Sequence, residues 1–353
     1  MLVSMNIGII FALLAAGLFG ASTPFAKLLI EQISPVALAG LLYAGSGIGL
    51  FSWLLLRKIL FKRISNETDI TRADIPWLAG AVLAGGIIAP VLLMFGISLI
   101  PASNASLLLN LEGVFTALLA WFVFKENFDK RIMLGMVFII IAGGMLSWQE
   151  TQIIGIPWGG LFVGVACLFW GIDNNLTRKV SASDPVQIAA IKGIVAGIVN
   201  LTIAAFMGAI FPPATKIILA GVVGLLGYGL SLVFFVIALR NLGTARTGAY
   251  FSVAPFFGAT LSLLLLHEQP TLSFWIAGIL MGIGIYLHLT ERHEHNHTHE
   301  ETAHAHEHIH DEHHQHNHDF EWDGTEPHSH HHVHKPLTHW HAHYPDIHHQ
   351  HRH

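Results

Sequence analysis

"EGVFTALLAWFVFKENFDKRIMLG" occupies residues 112–135, and "APFFGATLSLLLLHEQPTLSFWIAG" occupies residues 254–278. Laid over one another, they bring Glu126 over Glu268, each glutamate closing one apolar run and preceding another. The correspondence continues toward the start of each half. "GLFGASTPFAK" (17–27) lies over "CLFWGIDNNLTR" (167–178), and Ser34-Pro35 lies over Asp184-Pro185. The chain therefore reads as an internal duplication.

The apolar runs around these stretches set the fold. Segments of about 20 residues, the length that crosses a hydrocarbon core of ~30 Å, fall at 5–30, 34–56, 75–98, 103–124 and 130–148. A second set follows at 157–178, 185–210, 216–240, 244–266 and 271–290. The expected fold is an all-α polytopic membrane protein of ten transmembrane helices in two five-helix repeats, 1–149 and 150–290. An odd number of spans per repeat turns the second upside down relative to the first, an arrangement used by secondary transporters. Residues 291–353 are expected to form a disordered, cytoplasmic, His-rich tail.

Composition agrees with this partition. Of 353 residues, 53% are hydrophobic and only 12% charged, and the mean hydropathy is +0.56; a soluble globular chain is far more polar. Of 26 histidines, only His267 and His288 precede residue 291. Cys167 is the sole cysteine, which excludes a disulfide framework and a Cys-based zinc site within the chain. The N-terminal run lacks a basic n-region and is too long for a signal-peptide core, so it reads as the first span.

Loop charge sets an orientation. The second-to-third loop carries Arg57, Lys58, Lys62, Arg63 and Arg72, and the fourth-to-fifth carries Lys125, Lys130 and Arg131. Arg178 and Lys179 follow the sixth span and Arg240 and Arg246 flank the eighth-to-ninth turn, while the alternate loops are almost bare. By the positive-inside rule both termini are cytoplasmic, and the absence of a transit peptide fits a bacterial inner membrane best. Glycines spaced four apart (45 and 49, 160 and 164, 193 and 197, 278 and 282) read as close helix-packing positions.

The helix-Glu-helix signature around Glu126 and Glu268, with Trp170-Gly171 in the sixth span, resembles the EamA family of the drug/metabolite transporter superfamily. The resemblance covers nearly all of residues 5–290 and implies solute transport, commonly export, without specifying the cargo. The proline common midway along the fourth helix of this family is present as Pro255 in the second half but is Gly113 in the first. Whether the two halves bend alike is therefore open.

An ionisable group inside a span needs a cavity or a partner. Glu112, about nine residues into the fourth span, is the first candidate as proton carrier or cation ligand, accompanied by Asn110 and Asn104. A structural pairing of Glu112, with Lys27 for instance, is the alternative. Asp173 and Asn174 in the sixth span and Lys192 in the seventh are substrate-contact candidates, although an Asp173–Lys192 pair would serve structure alone. Glu126 and Glu268, at helix ends, suit capping or gating. Trp121, Trp170 and Trp275 read as packing or interface residues rather than a binding box.

In the tail, histidines alternate with other residues at His293, His295, His297 and His299, again at His304, His306, His308 and His310, and cluster at His313, His314, His316 and His318. Neutral imidazoles at such spacing suit divalent nickel, cobalt, zinc or copper without selecting among them. No span holds two histidines, so the body shows no transition-metal cage of the usual kind.

Nucleophile elbows, Walker loops and zinc-protease motifs are absent, which argues against an enzyme, an ATP-driven pump and any required cofactor. The expected partners are the lipid bilayer and a small solute or metal ion, with no nucleic acid; a homodimer is compatible with the sequence. The leading expectation is efflux of nickel, cobalt or zinc captured by the tail. The alternatives are export of a small organic metabolite such as an amino acid, with the tail regulatory, and a metal-responsive receptor that transports nothing.

Overall fold

A computed structural model describes residues 7–61, 70–124, 130–148, 156–181 and 183–289, and in the tail the strands at 294–299, 302–308, 328–334 and 337–342. Among these residues the body is entirely helical. α1 (Ile7–Ile30) and α2 (Pro35–Phe61) are the first two spans, and α7 (Lys130–Trp148) the fifth. α8 (Trp158–Val180), α9 (Pro185–Phe206) and α13 (Leu272–Leu289) are the sixth, seventh and tenth. α2 and α9 begin alike because Ser34-Pro35 and Asp184-Pro185 are alike: a proline at the first helical position has no amide hydrogen to leave unpaired. Asp184 Oδ1 also accepts from the amides of Val186 and Gln187.

The remaining spans are interrupted, and at matching places. The third comprises α3 (Ile75–Ala81), a π-helical segment (Val82–Ile88) and α4 (Ala89–Leu99). Its counterpart in the second half comprises α10 (Ala214–Gly224), a π-helical segment (Leu225–Leu230) and α11 (Ser231–Phe251). In the first segment Gly85 O accepts from Tyr43 Oη at 2.6 Å and Trp170 Nε1 at 3.1 Å, and Gly86 O accepts from Asn200 Nδ2 at 3.1 Å. Carbonyls freed from regular helix geometry are thus satisfied by side chains, as a lipid-embedded backbone requires.

The fourth span breaks at Leu109 and Asn110, between α5 (Ala102–Leu108) and α6 (Leu111–Phe124). The ninth breaks at Ser252 and Val253, before α12 (Ala254–Leu266). Both breaks use bonds that skip three residues, Asn110 N to Leu107 O and Val253 N to Tyr250 O. The halves therefore break within one residue of equivalent positions although only the second has Pro255. A tight turn ahead of position 113 or 255 makes the bend, and proline at the first turn of α12 merely tolerates it. One expected loop is missing: α11 runs through residues 241–243, where the eighth and ninth spans were to be separated.

Contacts between the halves come in exchanged pairs. α1 packs on α11 and α12 as α8 packs on α4 and α6, α2 packs on α9, and α7 packs on α13. The result is two inverted five-helix repeats. α2 and α9 touch backbone to backbone, for a Cβ on Gly193 would overlap Gly47. Small residues permit this approach where lipid offers no hydrophobic drive for association. Gly197 does the same against Ala44, Gly45 lets α10 approach α2 at Gly221, and Gly282 faces open space.

Among the described residues seven helical stretches are long and apolar enough to cross a bilayer, and two shorter apolar helices accompany them. The sixth span completes ten; the Asp173, Arg178 and Lys179 it carries dilute its hydropathy. Phe122, Ile198, Leu264 and Ile279 are each at least 62% exposed on the outer surface, where lipid rather than water must cover them.

In the tail, β1 (Glu294–His299) pairs antiparallel with β4 (Leu337–Ala342), and β2 (Thr302–His308) with β3 (His328–His334). Alternation of histidine with other residues has the strand period of two, so the pattern that looked like bare composition also suits pairing.

Candidate functional site

Polarity inside the body concentrates on the second half of α8, where three successive residues reach three different partners. Asp173 is 6% exposed and takes both hydrogen bonds of Lys192 Nζ, at 2.6 Å to Oδ1 and 2.8 Å to Oδ2. Thr177, one turn later, donates to Asp173 Oδ1 at 2.8 Å and lies 3.3 Å from Lys192 Nζ. Asn174 turns about 100° around the helix and donates through Nδ2 to Glu112 Oε1 at 2.8 Å and Thr116 Oγ1 at 3.3 Å. Asn175 ties the two helices by donating to Gly171 O and Thr116 O. Gly85 is required opposite this cluster, because a Cβ there would overlap the Asp173 carboxylate.

These groups open onto a cavity of about 70 Å³ between the halves, room for several waters. Glu112, Asp173, Asn174 and Lys192 form its polar side. The rest of its lining is mostly aromatic. Ring centroids run from Tyr43 to Tyr228 at 5.3 Å, from Tyr228 to Phe19 at 5.9 Å, and from Phe19 to Trp170 at 5.9 Å and Phe251 at 5.6 Å. Phe235 stands 4.9 Å beyond Phe251. The buried Tyr228 hydroxyl has no hydrogen-bond partner among the described residues.

The two carboxylates of the cavity differ. Asp173 is neutralised by Lys192, whereas Glu112, in the first turn of α6, makes no ion pair among the described residues and receives only the Asn174 amide. Placement at the N-terminal end of a half-helix suits an anionic side chain, since the freed amides carry partial positive charge.

Four of the six residues singled out in the spans thus meet in one cavity. Asn110 lies in the break behind it, donating to Leu107 O at 3.0 Å and facing Met281 Sδ at 3.5 Å. Asn104 sits on α5, partly buried and away from the cavity lining. Lys27 does not bond Glu112; it donates to the carbonyls of Ile97 and Ile100 and closes the end of α4. Trp170 belongs to the cavity wall as well as to packing, whereas Trp121 and Trp275 are 39% and 54% exposed. Glu126, His293, His310, His313, His314, His316 and His318 fall outside the described residues. The aromatic wall was missed. A tyrosine in mid-span, whose hydroxyl must find a partner away from water, was the signal that Tyr43 and Tyr228 offered.

Glu268 lies at one edge of the bundle and accepts from the amides of Ala102 at 2.7 Å and Ser103 at 2.9 Å. A glutamate of the second repeat thereby caps α5 of the first. At another edge Arg57, from α2, pairs with Asp184 at 2.8 Å, again joining the repeats. Glu268→Gln keeps one acceptor but loses the charge. It is expected to lower the unfolding free energy by about 1 kcal/mol, the usual worth of an N-terminal cap, read as a fall in melting temperature in detergent.

Among the described residues no three His, Cys, Asp or Glu side chains gather as a metal site. The profile of the EamA-like transporter family matches residues 6–148 and again residues 157–290, one match per repeat. An uncharacterized transporter of Methanothermobacter thermautotrophicus is 30% identical over 292 residues, spanning 79% of this chain and 85% of its own. Another from Archaeoglobus fulgidus is 23% identical over 76% of this chain and 93% of its own. The uncharacterized transporter YyaM of Bacillus subtilis is 21% identical over 71% and 83%. A solved crystal structure superposes with a TM-score of 0.61 at 13% identity, covering 80% of this chain and 96% of its own, a likeness of fold.

Proposed function

Since the chain belongs to the EamA-like transporter family and is an integral membrane transporter, we propose that it carries a small ammonium-bearing organic solute, such as an amino acid or amine, outward through the cavity at Glu112. The observation that carries this reading is that Glu112, without an ion pair among the described residues, lines the same cavity as a chain of aromatic rings. A carboxylate and the faces of Tyr, Trp and Phe both attract an ammonium group, the rings by cation–π attraction of about 0.5–2 kcal/mol. Tyr228 Oη offers a further hydrogen bond to the solute.

The cycle is alternating access. The halves rock about the fixed site, and Glu112 holds either the solute cation or a proton, so that the site is never an unpaired buried charge. The Arg57–Asp184 pair and the Glu268 cap join the repeats at their edges and would each open in one phase of the cycle. Loop lysines and arginines support cytoplasmic termini and an inner-membrane setting, with the tail in the cytoplasm.

One observation favours a second reading, efflux of divalent nickel, cobalt or zinc: the histidines crowded beyond residue 291. Accumulation in cells producing the full chain, a version truncated after Leu289, and Glu112→Gln separates the two. The organic reading expects amino acid or amine levels to fall with the full chain and the truncated one but not with Glu112→Gln, and metal levels to stay constant. A fall in nickel, cobalt or zinc that Glu112→Gln abolishes would overturn it in favour of metal efflux.

A further inference from the structure

Nearly every side-chain hydrogen-bond donor along the cavity is already committed. Lys192 is the sole cationic side chain among the described lining residues, and its three ammonium hydrogens face three acceptors. These are Asp173 Oδ1 at 2.6 Å, Asp173 Oδ2 at 2.8 Å and Thr177 Oγ1 at 3.3 Å. The two Nδ2 hydrogens of Asn174 go to Glu112 Oε1 and Thr116 Oγ1. Tyr43 Oη and Trp170 Nε1 both donate to Gly85 O, and Ser231 Oγ donates to Ala15 O at 2.8 Å. Of these lining donors, only Tyr228 Oη lacks a partner among the described residues. Charge is equally one-sided: Asp173 and Lys192 cancel, so Glu112 leaves the lining with one net negative charge.

We infer that the cavity selects a monocationic amine and rejects a zwitterion, so that an amino acid enters only once its own carboxylate is masked. This rests on the reading that Glu112 meets an ammonium group, and it narrows the amino acid or amine of that reading to the amine.

The argument is one of charge and donors together. An ammonium group beside Glu112 makes the loaded cavity neutral, the state least costly where water is excluded. A zwitterion brings a second carboxylate that finds no free cation. Lys192 could turn to it only by abandoning Asp173, which would strand one buried carboxylate to satisfy another. A proton on Glu112 would relieve the repulsion between carboxylates, but it would also remove the counter-charge of the ammonium group. The Tyr228 hydroxyl is one neutral donor, enough for an ester or ether oxygen of a solute and too little for a desolvated carboxylate.

The test is calorimetric binding to the purified full chain in nanodiscs, with the heats of protein-free nanodiscs subtracted, at a pH that keeps every ammonium group charged. Three probes share one carbon skeleton: isoamylamine, leucine and leucine methyl ester. The amine and the ester should bind, and Glu112→Gln should abolish both signals. Leucine should bind roughly a hundredfold more weakly than its ester, because like charges set side by side in a desolvated site are heavily penalised. Leucine binding as tightly as its ester would overturn the inference, and the loss of that binding in Glu112→Gln would show that the proposed function survives it. Binding of the amine alone, with leucine and its bulkier ester both excluded, would assign the discrimination to size and overturn the inference as well. Binding of none of the three would overturn it together with the reading on which it rests.

Discussion

Asp173→Asn is expected to destabilise the protein more than any other single change within the cavity. Lys192 is 2% exposed, and Asp173 supplies both its carboxylate contacts. Removing one partner of such a pair leaves an uncompensated buried charge, a loss of about 3–5 kcal/mol. Thr177 keeps its place 3.3 Å from Lys192 but brings no charge. The variant should reach the membrane in low yield and melt well below the parent in detergent. The double variant Asp173→Asn with Lys192→Met removes both charges and should recover most of the melting temperature, because a well-packed apolar replacement of a buried pair is often neutral or better. If the double variant melts as low as the single one, the loss comes from misplaced packing around Gly85 and α8 and not from an orphaned charge.

Glu112→Gln should do the opposite, leaving the fold intact and removing transport. The amide oxygen of Gln still accepts from Asn174, and no cationic partner among the described residues is stranded by the change. What disappears is the charge that meets the solute. A desolvated charge pair is worth about 2–5 kcal/mol when one partner is truncated, which corresponds to roughly 30-fold to a few thousandfold in solute binding. Circular dichroism and melting should match the parent while flux falls below detection. Flux within a factor of about two of the parent would place the coupling carboxylate elsewhere.

The sequence carried the architecture because each device that builds it is local. Ser34-Pro35 and Asp184-Pro185 start α2 and α9 with a proline suited to the first helical position, and runs of apolar residues of bilayer length read as spans. The Asp173–Lys192 pair was legible too, since two opposite charges in neighbouring spans have few other ways to be neutralised. Asn110 and Asn104 were harder to place. Their polarity marked them, but which side of a broken helix faces the cavity depends on the turn at Leu109 and Asn110, and nothing in the residue types reveals its angle.

The aromatic wall was illegible for a related reason. Phe19, Tyr43, Tyr228 and Phe251 come from four separate elements, and only the packing of α1, α2 and α11 on the π-helical segment Leu225–Leu230, and of α1 on α11, brings them together. The paired π-helical segments were equally hidden, for a glycine pair such as Gly85-Gly86 looks like ordinary close packing until the carbonyls it frees are seen bonded to Tyr43, Trp170 and Asn200. In the tail, alternation gave the strand period but not the partner, because many registers of a low-complexity tract look alike.

The central claim, that the cavity carries an ammonium-bearing solute on Glu112, is tested most directly by flux in proteoliposomes holding the purified full chain. Vesicles loaded with an amino acid or primary amine, or with nickel, cobalt or zinc, would be followed with the parent protein and with Glu112→Gln. The account predicts release of one or more of the amines, lost with Glu112→Gln, and no metal release above protein-free vesicles. Metal release that the parent supports and Glu112→Gln abolishes, with every amine retained, would contradict it.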